Sequence, residues 1–128
     1  MATKQRTLAA AISFQGKGLH TGLQVTMTVN PAEENHGITF RRVDLEGAPE
    51  VPALCEYVVD TSRGTTIEKG AAKVSTIEHI LSALWTLGVD NASIDINAPE
   101  TPIMDGSALE YATRITEVGT VEQNAERR

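Results

Sequence analysis

Ile77, Ile80, Leu81, Leu84 and Trp85 fall at i, i+3, i+4, i+7 and i+8, the spacing of one apolar stripe on an α-helix. Ser75 before them is a good N-cap and Gly88 after them a good stop, so the spacing predicts a helix over residues 76–87. Such a helix is stable only with its stripe laid on another layer of structure.

Most other apolar residues keep a period of two, which supplies that layer. Leu8, Ala10, Ile12 and Phe14 alternate with less apolar neighbours. A glycine-rich turn follows at 16–22. Leu23, Val25, Met27 and Val29 then face one way, opposite Gln24, Thr26, Thr28 and Asn30, and Pro31 ends the strand. Ile38 to Arg42 predicts a third strand. The stretch 44–52, with Gly47, Pro49 and Pro52, reads as loop. Cys55, Tyr57 and Val59 alternate again, and short strands at 65–67 and 73–74 flank a Lys69-Gly70 turn. After the helix, Ala92, Ile94 and Ile96 point inward. Pro99 and Pro102 stiffen a loop, and Asp105 or Ser107 caps a second helix ending near Gly119. The expected fold is α+β, a two-layer sandwich of a mainly antiparallel sheet packed on two helices. Residues 1–120 read as the domain. Residues 121–128 read as the flexible start of a linker, with the polar stretch 123–128 unanchored.

Composition removes several functions. With 128 residues, 41% hydrophobic and 22% charged, the chain reads as globular. Aromatics at 4% predict an aliphatic core. A formal net charge of −6, with no basic run, argues against nucleic acid. Cys55 is the only cysteine, so no internal disulfide forms. No apolar run reaches transmembrane length and residues 1–7 lack a signal core, which predicts a cytoplasmic protein.

Each helical residue turns about 100°. His79 therefore lies opposite the apolar stripe, with Ser75, Ser82, Ala83 and Thr86. A face of small residues suits close packing by a partner; the alternative is that these side chains are simply solvated. Glu78 beside His79 admits two readings. Imidazole is a common zinc ligand, and a carboxylate beside a metal can take a proton from water, which suits amide hydrolysis. Ser75-Thr76-Ile77-Glu78 is equally a capping box, with Glu78 bonding back to a backbone N–H. Zinc catalysis needs about three protein ligands, and this helix offers one. His20 and His36 lie in loops without metal-ligand spacing, although a self-sufficient site from His20, His36 and His79 is an alternative. His20, in its glycine turn, could hold a phosphate or merely sit in a hairpin connection. Asp105 reads as a cap or Asx-turn, or as an acceptor that orients a catalytic group.

Four motifs carry a resemblance: residues 4–8 (Lys-Gln-Arg-Thr-Leu), 16–22 (Gly-Lys-Gly-Leu-His-Thr-Gly), 75–79 (Ser-Thr-Ile-Glu-His) and 97–107 (Asn-Ala-Pro-Glu-Thr-Pro-Ile-Met-Asp-Gly-Ser). In order and spacing they resemble the UDP-3-O-acyl-N-acetylglucosamine deacetylases. The resemblance covers most of the chain. It implies a cytoplasmic enzyme of Gram-negative bacteria that removes acetate from a UDP-linked acylated glucosamine, the committed step of lipid A synthesis. It implies two similar domains whose helices face each other across the site, of which this chain is the first. On that basis His79 matches a zinc ligand and Glu78 the general base. His20 matches a recurrent histidine of the family. Thr61, Ser62, Arg63 and Gly64 align with a substrate-side loop near the acetyl group. The other zinc ligands and the general acid belong to the second domain, so these residues alone are expected to be inactive. The stretch 117–128 is also similar to members fused to a hydroxyacyl-carrier-protein dehydratase. Outside enzymes, the competing expectation is a non-catalytic module that binds a partner through the small-residue face of the 76–87 helix.

Overall fold

A computed structural model describes residues 3–62 and 64–127. The chain runs β1 (Lys4–Leu8), β2 (Ile12–Lys17), β3 (Gln24–Pro31), β4 (Ile38–Arg42), β5 (Glu50–Pro52), a 3₁₀ turn (Cys55–Tyr57), β6 (Val58–Asp60), β7 (Thr66–Lys69), β8 (Ala72–Ser75), α1 (Glu78–Thr86), β9 (Ala92–Ile96), α2 (Leu109–Val118) and β10 (Thr120–Glu126). The main sheet has the order β2-β3-β9-β4-β5. Its β4–β9 pair is parallel and its other pairs are antiparallel. β6, β7 and β8 form a second antiparallel sheet, and β1 with β10 forms a two-stranded ribbon.

Alternation decides which face of the main sheet is covered. Val25, Met27 and Val29 on β3 and Ala92, Ile94 and Ile96 on β9 are fully buried, while Thr28, Asn30, Ser93 and Asp95 line the other face. The helices cover the apolar face. α2 lies on β2, where the Phe14 and Tyr111 rings meet edge to face with centroids 4.8 Å apart. α1 packs on α2. The expected α+β, mainly antiparallel architecture is therefore the one observed. The core is mostly aliphatic but also takes in Phe14, Phe40 and Tyr111.

Several local expectations change. The alternation from Leu8 to Phe14 is two strands, not one, because β1 leaves to pair with β10 while β2 pairs with β3. The alanines between them have no side chains large enough to signal the break. Residues 44–52 are not all loop: β5 pairs with β4 at the sheet edge, where proline is tolerated. Residues 55–57 form a 3₁₀ turn rather than a strand.

The C-terminal stretch is a correction of substance. Residues 121–126 are not a loose linker. They belong to β10, paired with β1 from Thr120 opposite Leu8 to Glu126 opposite Lys4. The cause is side-chain bonding that polarity alone does not reveal. Gln123 accepts from Asn91 Nδ2 at 2.8 Å and donates to Ala32 O at 2.9 Å. Arg127 donates to Asp90 Oδ2 and to Gly88 O.

Candidate active site at the start of the first helix

The helix expected over residues 76–87 is α1, Glu78–Thr86. Ser75 is not its cap. It is the last residue of β8; its N–H goes to Pro99 O at 2.8 Å and its hydroxyl accepts from Thr66 Oγ1 at 3.0 Å. Thr76 follows with φ of +62°, a left-handed conformation that is an outlier for a β-branched residue. The strand thus turns sharply into the helix. The far end behaves as expected: Gly88 has φ of +74°, and the N–H groups of Gly88 and Val89 go back to Trp85 O and Leu84 O, a Schellman closure.

This turn undoes the capping box. Glu78 reaches across to the 61–65 loop, where its Oε1 accepts the Thr65 N–H at 3.0 Å. Gly64, with φ of +104°, lies so close that a Cβ there would stand 3.1 Å from Glu78 Oε2. Glycine is needed for both the conformation and the approach. The structure therefore brings Glu78 and Gly64 together. His79 is half-buried on the next position of α1, about 100° around the helix.

Glu78 lies at the rim of a groove of about 530 Å³ whose other walls include Ile38, Ile77, Leu81, Trp85 and Val89. Trp85 was expected in the buried stripe, yet it is 86% exposed. The buried face is rotated toward Ala83, which is 1% exposed where α1 meets α2. Only Ser82 and Thr86 of the small-residue face remain exposed. The outward face of α1 thus combines small residues with a large apolar one.

The remaining site candidates stand elsewhere. His20 is exposed and borders a separate polar cavity of about 280 Å³ with Asp60, Thr66, Lys73, Ser75 and Glu100. Its backbone N–H is 3.0 Å from each oxygen of Glu100. Thr61 and Ser62 are exposed, and Ser62 gives both its N–H and its hydroxyl to Asp60 Oδ1 at 2.9 Å. Those bonds hold the Asp60 carboxyl below its ordinary range. Arg63 lies outside the described residues. Asp105 is exposed and accepts from the Ser107 N–H and hydroxyl at 3.0 Å, an Asx-turn; Ser107 Oγ in turn accepts the Leu109 N–H at 3.2 Å. These bonds keep Asp105 within its own turn. Among the described residues no three His, Cys, Asp or Glu side chains converge as metal ligands. His20, His36 and His79 therefore do not form the self-sufficient site, and His36 Nε2 lies 3.0 Å from Thr39 Oγ1. As a donor set for zinc, His79 fits as one member only.

The loop through Thr65 was aligned with the site by resemblance, but sequence reasoning missed the Thr65 bond to Glu78, the roles of Thr76 and Glu100, and the exposure of Trp85. Nothing in the residue types announces a left-handed threonine. The Trp85 position did carry a signal, since it sits at the edge of the apolar stripe beside Glu78.

Comparison with known proteins decides the family. The model of the UDP-3-O-acyl N-acetylglycosamine deacetylases (LpxC) matches residues 5–128. The chain belongs to this family. Relatives include a protein named bifunctional enzyme LpxC/FabZ from Bacteroides thetaiotaomicron, 52% identical over 95% of this chain and 26% of the relative. One of the same name from Porphyromonas gingivalis is 52% identical over 97% of this chain and 27% of the relative. A UDP-3-O-acyl-N-acetylglucosamine deacetylase from Legionella pneumophila is 54% identical over 98% of this chain and 41% of the relative. The chain thus spans between about a quarter and two-fifths of the length of these curated relatives. No helix among the described residues is long and apolar enough to cross a membrane.

Proposed function

We propose that this chain is the N-terminal half of a cytoplasmic, zinc-dependent deacetylase that removes acetate from a UDP-3-O-acyl-N-acetylglucosamine. The observation that carries the reading is Glu78, drawn away from its helix cap and held by Thr65 beside the half-buried His79. His79 supplies one zinc ligand, and the remaining ligands and the general acid come from a second domain. Zinc held there would supply a lowered pKa for water and polarisation of the amide carbonyl. Glu78 takes the proton from the attacking water. The Thr65 bond fixes one carboxylate oxygen and leaves the other to face the reaction. His20 and the loop from Thr61 through Gly64 contribute on the substrate side. Asp105 serves the turn before α2. The exposed face of α1, with the Trp85 groove, is where the second domain sits. The LpxC/FabZ relatives support a further catalytic unit downstream in some longer chains.

The test is made in the longer enzyme. Glu78→Gln keeps an oxygen for the Thr65 N–H but cannot take a proton. With zinc content verified, it should lose ~10²-fold or more in kcat, the scale of acid–base catalysis, with its unfolding midpoint nearly unchanged. Glu78→Ala should lose similar activity and also the Thr65 bond. A zinc-loaded Glu78→Gln enzyme with near-parental kcat would remove the general-base role from Glu78 and leave His79 as a ligand untouched.

A further inference from the structure

Three supports converge on the residue that joins β8 to α1. Thr76 is 3% exposed and left-handed. Its hydroxyl donates to Glu100 Oε2 at 3.2 Å, and its carbonyl accepts the Thr101 hydroxyl at 2.5 Å. Ser75 on one side is bracketed by Pro99 O and the Thr101 N–H; Ile77 on the other gives its N–H to Thr65 O. Glu100 is itself 2% exposed and also accepts the backbone N–H groups of His20 and Thr21. Its seat is tight: a Cβ on Gly18 would stand 2.4 Å from Glu100 Oε1. A left-handed β-branched residue persists only where its surroundings over-determine it, and such outliers gather at functional sites.

We infer that Thr76, clamped by Glu100, is a positioning residue that sets where α1 begins and so aims Glu78 at the Thr65 N–H. A relaxed turn would let α1 start earlier, with Ser75 as its cap, the arrangement the sequence itself favours. Glu78 would then turn back on its own helix instead of toward the 61–65 loop. The role in catalysis rests on Glu78 being the reacting carboxylate; the role in aiming it does not.

The experiment has two arms. In this chain, the Thr65 amide proton is followed by NMR, with Glu78→Gln as the reference for a weakened bond. Thr76→Gly accepts the left-handed turn but releases it to other conformations, and removes the hydroxyl. It should shift the Thr65 amide toward the reference while the unfolding midpoint stays within ~3 °C, since relief of left-handed strain offsets the lost contacts. Thr76→Ser keeps the hydroxyl and should restore the parental signal. In the longer, zinc-loaded enzyme, Thr76→Gly should lose 10-fold or more in kcat with KM within about two-fold, and Thr76→Ser should recover it, because misplacing a reacting group costs rate before binding. Glu100→Gln, which cannot accept all four donors as a carboxylate does, serves if Thr76→Gly does not fold, and should move the same amide. An unmoved Thr65 amide in either variant overturns the inference. A moved amide with parental kcat overturns the catalytic consequence, provided Glu78→Gln is inactive. If Glu78→Gln is active too, the proposed function has failed and the amide result alone decides the positioning.

Discussion

Glu100 shows how a buried carboxylate can be held by backbone N–H groups and hydroxyls. Burial pushes its pKa up, but the N–H groups of Thr21 and His20 and the hydroxyls of Thr21 and Thr76 outweigh that and hold it below the ordinary value. The sign for stability follows from linkage. A carboxyl depressed in the folded state contributes stability above its unfolded pKa of ~4.3 and loses it as pH falls through the folded value. Urea unfolding of the parent and of Glu100→Gln should therefore differ most near neutrality and converge below about pH 4. A gap that stays constant down to the acid limit of folding would mean that the carboxylate's charge is irrelevant to its seat. At this scale the sequence was half legible. The pairing of Glu78 with His79 could be read, since adjacent chemistry-bearing residues on a helix stand out. The partners of Glu78 and Glu100 could not, because they come from positions 13 and about 80 residues away.

At the scale of elements, strands with strict alternation were read well. β3 and β9 bury every second residue, and their neighbours on both sides leave no choice of face. α1 was found but misplaced by a turn's fraction at its start and rotated about its axis. Ser75 satisfies the local rule for a cap, yet β8 and the 99–101 loop claim it first. Trp85 satisfies the helical period, yet the buried face is set by where α2 lies, which no local pattern states. α2 has its own anchor. Tyr111 is 1% exposed and donates its hydroxyl to Pro102 O, which ties the helix to the loop that braces Thr76. Tyr111→Phe keeps the ring against Phe14 and leaves that buried carbonyl short of a donor. It should cost ~1–2 kcal/mol in a denaturant titration. A loss under about 0.3 kcal/mol would mean that water or another donor replaces the phenol.

For the whole molecule, the least legible feature is the join between the two ends of the chain. Asn91 is 1% exposed; it donates to Gln5 and Gln123 and accepts the Gly37 N–H. Gln5 in turn reaches Asn35 and Glu126 O. A string of polar residues looks like a tail until this amide network gives each one a partner. Removing residues 120–128 would strip Gln123 from Asn91, Arg127 from Asp90 and β10 from β1. Two or three part-buried hydrogen bonds at about 1 kcal/mol each predict a loss of roughly 2–3 kcal/mol, read as a lower urea midpoint. An unchanged midpoint would mark the ribbon as peripheral to stability. The same join governs the order of events during synthesis. Gln5 bonds to Glu126 O across a separation of 121 residues. Within this domain β1 thus gains its strand partner only once β10 has been made. Until β10 emerges, β1 waits as an open edge that another chain could occupy, and closing so long a loop delays completion of the domain. The nascent domain depends on β10, and on whatever guards that edge in the interval, to finish folding.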